Sequence, residues 1–104
     1  MTRQFDVYRN PLRGGREQRP YLLVVQHGLF ADRPTRVVVP LVVAAAIRPE
    51  RRLNPSLRVL GKPFYLSPTE IITLPIRHLR DHVDNLESER DRIVAALDVL
   101  LTGI

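Results

Sequence analysis

The distribution of proline constrains the fold of this chain more than any other sequence feature. The chain has nine prolines, all between Pro11 and Pro75, and only Gly103 among its five glycines follows that region. Proline lacks a backbone N–H and interrupts both helices and central strands. This region is therefore expected to hold short segments separated by turns, a pattern typical of a small β-barrel.

Six segments carry the alternating or β-branched pattern of strands. They are residues 4–9, 20–26, 35–41, 57–60, 64–66 and 70–79. Gly61-Lys62-Pro63 is expected to form the hairpin turn between the fourth and fifth strands. Pro40 is expected to end its strand or place it on an edge, and Pro75 to bend the last strand. The alanines within residues 42–47 indicate a single helical turn.

The hydrophobic period changes at Leu86. Apolar residues then follow helical spacing up to the end of the sequence, at Leu86, Ile93, Leu97, Leu100, Leu101 and Ile104. Asn85 is a favourable N-cap residue, two glutamates occupy the first turn, and Gly103 lies where a helix would stop. The predicted class is therefore mainly β, with antiparallel strands and one C-terminal α-helix.

Length and composition exclude several classes of protein. The sequence of 104 residues predicts one domain, residues 1–104. Because it contains no cysteine, disulfide scaffolds, cysteine-based zinc sites and cysteine nucleophiles are excluded. The longest uncharged apolar stretch, Val37 to Ile47, is too short to span a bilayer, and no signal peptide is recognisable at the start. We expect a cytoplasmic protein without a membrane segment.

No catalytic constellation is recognisable. His78 and His82 have the four-residue spacing of two metal ligands, but the glutamate of a zinc-protease motif is missing. They are interpreted as surface histidines. No serine lies in a glycine elbow, and no glycine-rich phosphate loop is present. Neither a metal, a cofactor nor an enzymatic activity is predicted.

Positive charge is concentrated in the first half of the chain. Residues 1–52 contain ten arginines and four acids, whereas residues 53–104 contain six basic residues and seven acids. Seven of these arginines belong to two predicted loops, and they are Arg9, Arg13, Arg16 and Arg19 in one loop and Arg48, Arg51 and Arg52 in the other. Such charge suits nucleic acid or an acidic protein segment, although a solvated basic surface has the same composition. If folding brings the two loops together, they form a site for an acidic segment.

The end of the predicted helix is unusually apolar for a chain terminus. Its last ten residues run Ala95-Ala96-Leu97-Asp98-Val99-Leu100-Leu101-Thr102-Gly103-Ile104. These side chains are expected to be buried against the chain's own barrel or against a partner, either a second copy or another protein.

Several short motifs occur together, in a characteristic order. They are Gln4-Phe5-Asp6-Val7-Tyr8, Val24-Val25-Gln26, Arg36-Val37-Val38-Val39-Pro40-Leu41, Asn54-Pro55, the Gly61 hairpin and the final Gly103-Ile104. In this order and spacing the chain resembles, over nearly its full length, the CcdB family of toxins from plasmid and chromosomal toxin–antitoxin modules.

The resemblance implies a fold, an activity and a set of contacts. The fold would be an SH3-like barrel of the type shared by CcdB and MazF, and the protein a homodimer packed through Leu100, Leu101, Gly103 and Ile104. CcdB proteins poison DNA gyrase by binding its A subunit and trapping the cleaved-DNA complex. The implied gyrase-binding positions are Asp91, Ala95, Thr102, Gly103 and Ile104. The best-known member has tryptophan where this chain has Thr102, which removes a large interface anchor.

The resemblance also implies a cognate CcdA-like antitoxin with a disordered, often acidic C-terminal segment. The two arginine loops, from Arg9 to Arg19 and from Arg48 to Arg52, suit such a segment by charge. In this family the toxin–antitoxin complex represses its own promoter and contacts operator DNA mainly through the antitoxin.

Two other functions stay open from the sequence. One is an endoribonuclease toxin like MazF or Kid, which share this barrel and for which a basic surface suits RNA. The other is a non-toxic homologue that retains only antitoxin binding, for which Thr102 is the main support.

Overall fold

The computed structural model describes residues 2–104, which form a curled antiparallel sheet with a C-terminal helix packed against it. The strands and the helix are β1 (Asp6–Arg9), β2 (Tyr21–Val24), β3 (Thr35–Val42), β4 (Ser56–Val59), β5 (Lys62–Leu66), β6 (Ile72–Pro75), β7 (His82–Asn85) and α1 (Arg90–Thr102). Short 3₁₀ turns connect them at Gly28–Phe30, Ala44–Ala46, Pro68–Glu70, Ile76–His78 and Glu87–Glu89. The predicted class, mainly β with a C-terminal helix, is confirmed.

The sheet curls into a half-barrel. Its strand order is β4-β5-β3-β2-β1-β7, all neighbours are antiparallel, and β6 pairs with the first half of β3. The two ends of this order approach each other. The Leu60 backbone N–H, in the turn between β4 and β5, donates to the Asp84 carboxylate of β7 at 3.3 Å. Among residues 2–104, no helix has the length and apolar character needed to cross a membrane.

Both faces of the sheet are covered. On the inner face α1 buries Ile93 and Ala96 against a core formed by Phe5, Val7, Leu23, Val39, Leu41, Leu57, Val59, Leu66 and Leu86. A second cluster on the other face consists of Tyr8, Leu22, Val24, Val38, Leu74 and Leu79. Neighbouring β1 residues enter different clusters, Val7 the first and Tyr8 the second. This explains why the β1 and β2 segments contain few exposed side chains.

Pro40 lies inside β3, so the expectation that it ends the strand or marks an edge is wrong. It pairs in register with Leu22 of β2, and its carbonyl accepts a hydrogen bond from the Ser67 backbone N–H at 3.0 Å. On that side β3 pairs with β6 up to Val38 and with β5 from Leu41. The missing N–H therefore falls in the gap between two partner strands, where no ladder bond is lost.

The β4–β5 hairpin turns one residue earlier than predicted. Leu60 and Gly61 both have positive φ, 51° and 82°, while Lys62 and Pro63 already belong to β5. Two successive residues with positive φ are the mark of a type I′ turn, whose twist matches that of the flanking strands. The Gly61 position was recognisable in the sequence, but the left-handed Leu60 was not.

The segment between Glu70 and Asn85 differs most from the prediction. The strand expected over residues 70–79 is shorter, since β6 ends at Pro75 and a 3₁₀ turn follows. β7 was not predicted, because its four residues, His-Val-Asp-Asn, are mostly polar. It forms a strand by pairing with β1, with a register shift between Val7 and Tyr8.

The terminal helix was predicted correctly at its end and too early at its start. The Asn85 side chain accepts a hydrogen bond from the backbone N–H of Glu87, the first residue of the 3₁₀ turn, at 2.9 Å, but α1 itself begins at Arg90 without a side-chain cap. At the other end Gly103 adopts φ 76° and its N–H donates to the Val99 carbonyl at 2.9 Å. This left-handed C-cap stops the helix as expected.

Candidate functional site

The last two residues of α1 and the two that follow it form an exposed apolar end, which we call the helix tip (residues 101–104). Leu101 is 77% exposed and Ile104 is 83% exposed. The Thr102 hydroxyl donates to the Asp98 carbonyl at 2.7 Å, so it is hydrogen-bonded to the helix itself. Leu100, one residue before the tip, is half-buried. The tip is therefore held by a regular helix and a glycine cap, yet its apolar side chains remain in solvent.

The face of α1 opposite the core contains the positions implied by the family resemblance. Asp91, Ala95 and Thr102 are spaced by four and seven residues, which places them on one helical stripe. All three are exposed, whereas Ile93 and Ala96 on the other side are buried. This outer face leads directly to the helix tip, so the five predicted gyrase-binding residues form one continuous surface.

An apolar flank runs along one side of α1 between these two faces. It consists of Val94, which is 37% exposed, the half-buried Leu97, and Leu101. Their spacing of three and four residues aligns them along the helix. The predicted dimer-interface residues Leu100, Leu101, Gly103 and Ile104 lie at the end of this flank.

A cleft of about 530 Å³, which we call the arginine cleft, separates α1 from the loop before β4. Its walls are formed by Pro49, Arg51, Arg52, Asn54, Pro55, Ser56, Tyr65, Arg92 and Ala95. Arg51 and Arg52 come from the loop, Tyr65 from β5, and Arg92 and Ala95 from α1. The cleft thus combines positive charge with apolar and aromatic walls. Arg48 is exposed in the same loop.

The loop that supplies Arg51 and Arg52 is held in place by hydrogen bonds. The Glu50 carboxylate accepts the backbone N–H groups of Arg52 at 3.2 Å and Leu53 at 2.9 Å. The buried Asn54 donates to the Leu66 carbonyl at 3.0 Å and accepts from the Glu50 N–H at 2.9 Å. The Glu50 carboxylate is thereby hydrogen-bonded to the backbone of its own loop. Of the three guanidinium groups that line the cleft, those of Arg51 and Arg52 consequently project from an ordered turn.

The other arginine loop lines a different cleft. Arg9 and Arg16 border a space of about 260 Å³ together with His78 and Arg80. Arg19 forms an ion pair with Glu70 at 2.6 Å, and Arg13 is exposed. The structure thus does not combine the two arginine loops into one cleft.

A polar cluster that the sequence did not reveal lies between β1 and β7. The His82 Nε2 atom lies 2.9 Å from Asp6 Oδ1, which also accepts from the Asn85 amide at 3.0 Å. The Arg3 backbone N–H donates to Asp6 Oδ2 at 2.7 Å, and the Tyr8 ring meets the His82 ring edge-on at 5.4 Å between centroids. Because the sequence did not predict β7, it gave no reason to expect His82 beside Asp6.

The charge state of Asp6 follows from these contacts. Burial alone raises the pKa of the Asp6 carboxyl, whose side chain is only 5% exposed. The hydrogen bonds from Asn85, the Arg3 backbone and His82, together with the charge of His82, outweigh burial and leave this pKa below its ordinary value. Asp6 is therefore ionised, and its carboxylate oxygens are hydrogen-bonded to groups of the protein itself.

The two histidines with four-residue spacing lie in different surroundings. His82 contacts Asp6, while His78 lies in the preceding 3₁₀ turn and lines a separate cleft. Within the part of the chain that the structure describes, residues 2–104, no three metal-ligating side chains are grouped closely enough to hold an ion.

Comparisons with known proteins identify a family and a structural relative. The family model described as CcdB protein matches residues 4–103. A solved structure described as an endoribonuclease in complex with its cognate antitoxin from Mycobacterial species superposes with a TM-score of 0.79 at 20% sequence identity. The match covers 97% of this chain and 95% of the other, and at this identity it demonstrates a shared fold. A comparison with curated proteins found no match.

Proposed function

This chain belongs to the CcdB family of toxins from toxin–antitoxin systems, and from that membership we propose that it inhibits DNA gyrase by binding its A subunit. The proposed contact surface is the outer face of α1 together with the helix tip, comprising Asp91, Ala95, Thr102, Gly103 and Ile104. Binding there would trap the cleaved-DNA complex, so the protein acts by binding and breaks no bond itself.

The exposed helix tip is the observation that carries this proposal. Ile104 and Leu101 are more than three-quarters exposed at the end of a helix whose other apolar residues are mostly buried or half-buried. A projecting apolar end of this kind is suited to an apolar pocket on another polypeptide. Thr102 contributes less contact area than the family's tryptophan, so we expect Ile104 to supply a larger share of the binding energy.

The arginine cleft is our candidate site for the antitoxin. Its guanidinium groups suit carboxylates, and its walls at Tyr65, Pro49 and Pro55 suit an apolar side chain between them. Ala95 lines the cleft and also belongs to the proposed gyrase surface. An antitoxin segment in this cleft would consequently exclude gyrase by occupying part of the same helix face.

The gyrase proposal is tested with purified protein, purified gyrase and plasmid DNA. We expect loss of supercoiling activity and accumulation of cleaved DNA at micromolar protein. Ile104→Ser should raise the concentration for half-inhibition about tenfold, because it removes an interface anchor. Thr102→Trp should lower that concentration about tenfold, because it supplies the missing aromatic area.

The control for these variants is Leu29→Ser, which removes another exposed apolar side chain, 75% exposed, on the loop after β2. It should leave inhibition unchanged. If the unmodified protein neither inhibits supercoiling nor produces cleaved DNA, gyrase is not its target. Inhibition that appears only with Thr102→Trp would instead identify a homologue that has lost toxicity.

The antitoxin site is tested with a synthetic acidic peptide of glutamates around a single tryptophan. Arg51→Gln/Arg52→Gln should weaken its binding at least about tenfold in calorimetry, since two charge-assisted contacts are lost. Arg58→Gln/Lys62→Gln makes the same charge change on the β4–β5 hairpin and should have little effect. Equal weakening by both double variants would indicate net charge alone and contradict a specific cleft.

A further inference from the structure

The polar cluster between β1 and β7 opens onto a basic surface that the proposed function does not use. A cleft of about 450 Å³ above Asp6 and a second one of about 260 Å³ adjoin each other, because Arg80 lines both. We call the combined surface the furrow, and its charged or titratable lining side chains are Arg3, Asp6, Tyr8, Arg9, Arg16, His78, Arg80, Asp81 and His82.

The furrow presents cations with little opposing charge. Of its two carboxylates, Asp6 is almost fully buried and accepts hydrogen bonds from Asn85, His82 and the Arg3 backbone. Its charge therefore fixes the His82 imidazole and is not available to a ligand. Only Asp81 remains to oppose the arginines and histidines of the furrow.

Two of these side chains are positioned by hydrogen bonds to backbone carbonyls. Arg80 Nε donates to the Arg77 carbonyl at 3.0 Å, and one terminal nitrogen of Arg16 donates to the Pro11 carbonyl at 3.1 Å. Each contact uses one nitrogen of the guanidinium group and leaves other donors for a ligand. The Arg3 side chain is exposed, while its backbone N–H holds Asp6.

The chemistry of the furrow distinguishes it from the arginine cleft. The arginine cleft has a tyrosine and two prolines in its walls, which suits a peptide with apolar side chains. The furrow has guanidinium and imidazole groups along two adjoining depressions, while Tyr8 and Leu79 are buried beneath it. Guanidinium forks match phosphate oxygens, and cations repeated along a groove match the repeated charges of a phosphodiester chain.

We propose that the furrow binds the phosphodiester backbone of a nucleic acid directly. One phosphate would lie over Arg3, Arg80 and His82, and a neighbouring phosphate beside Arg9 and Arg16. This site requires neither gyrase nor an antitoxin, and it shares no residue with the helix tip or the arginine cleft.

The test measures fluorescence anisotropy of a labelled short single-stranded RNA and a labelled short DNA duplex on titration with the protein. Arg3→Gln/Arg80→Gln should weaken nucleic-acid binding at least about tenfold. With single-stranded RNA it should also reduce the slope of log affinity against log salt by about 1.4, since two phosphate contacts are removed. Arg58→Gln/Lys62→Gln is the control with equal charge change and should preserve binding.

The acidic peptide serves as the competing probe. Arg3→Gln/Arg80→Gln should leave peptide binding and gyrase inhibition unchanged, which separates this site from the proposed function. The proposal is wrong if neither nucleic acid binds, if the two double variants weaken binding equally, or if the peptide is lost with the nucleic acid. RNA binding without DNA binding, or the reverse, would identify which nucleic acid the furrow takes.

Discussion

The neighbouring residues Phe5 and Asp6 contact three parts of the fold, which are β2, β7 and the segment that leads into the helix. Phe5 is buried at a φ of 69°, a left-handed conformation that is rare for an aromatic residue. Its N–H donates to the Val24 carbonyl at 2.7 Å, and its carbonyl accepts the Leu86 N–H at 2.8 Å. The unusual conformation thus joins β2 to the segment that begins the helix, and it turns Asp6 toward His82 and Asn85.

We expect stability to depend on Asp6 in acid. A carboxyl whose folded pKa is below its unfolded value, here 3.8, stabilises the fold above that value. This stabilisation is lost as the pH falls through the lower folded pKa. At neutral pH Asp6→Asn should lower the free energy of unfolding by about 2 kcal/mol, because charged hydrogen bonds are lost. In urea unfolding, this difference should shrink as the pH falls below 3.8.

Asp98→Asn provides the comparison, because it changes an exposed carboxylate on α1. It should have a small effect that varies little with pH. A constant difference between the protein and Asp6→Asn across the acid range would show that the Asp6 charge is not what stabilises the contact.

At the scale of elements, polar side chains stabilise the loops, whose backbone lies outside the hydrogen-bonded ladders of the sheet. Arg36 is 3% exposed and donates to the carbonyls of Ala31, Arg33 and Thr35 at 2.7 to 2.9 Å. The guanidinium group thereby satisfies backbone acceptors in the loop between β2 and β3. Asn10 does the same for the β1–β2 loop, donating to the Arg19 carbonyl at 2.8 Å and accepting from the Leu12 N–H at 2.9 Å.

The β4–β5 hairpin contains strain that a single substitution should relieve. Leu60 occupies the first central position of the type I′ turn with φ 51° and is 61% exposed. Asparagine tolerates this conformation and is favoured before glycine in such turns. Leu60→Asn should therefore stabilise the protein by about 1 kcal/mol and raise the melting temperature by about 4 to 8 °C.

Gly61→Ala, at φ 82°, should lower the melting temperature, because a side chain is strained at that position. Calorimetric scans of both variants test the turn. A lower melting temperature for Leu60→Asn would mean that the leucine makes contacts that outweigh the backbone strain.

At the scale of the whole molecule, the furrow is separate from the other proposed surfaces, which share residues at α1 and its end. The helix tip and the apolar flank lie on α1, the arginine cleft lies between α1 and the loop before β4, and the furrow lies over β1 and β7. A second copy that packs on the apolar flank would cover Val94 and Leu101 and leave the outer face with Asp91 and Ala95 accessible. Dimerisation and gyrase binding would therefore use different faces of α1 but compete for the helix tip.

We expect the protein to be a homodimer that depends on this flank. Leu101→Glu should convert the dimer to a monomer in sedimentation velocity at micromolar concentration, because a charge would be buried in the interface. Leu29→Glu places the same charge on a different exposed leucine and should leave the dimer intact. A monomeric unmodified protein at that concentration would contradict the proposed interface.

Local patterns in the sequence determined most of the elements. Alternation and β-branched runs identified six of the strands, helical spacing identified α1, and the left-handed preference of glycine identified its end at Gly103. These signals depend on neighbouring residues, so the sequence alone contains them. The apolar character of the helix end was recognisable for the same reason, as was the family, but whether that end packs on the chain's own sheet was left open until the structure showed Leu101 and Ile104 exposed.

The tertiary structure decided everything that depends on distant residues meeting. β7 becomes a strand because β1 supplies its hydrogen-bonding partner, and that pairing brings His82 to Asp6 across 76 positions. Pro40 stays inside a strand because its missing donor falls between β6 and β5. The arginine loops line different clefts because the barrel places one beside α1 and the other beside the turn before β7. Such contacts form only when residues distant in the sequence come together, and no local pattern specifies which of them will meet.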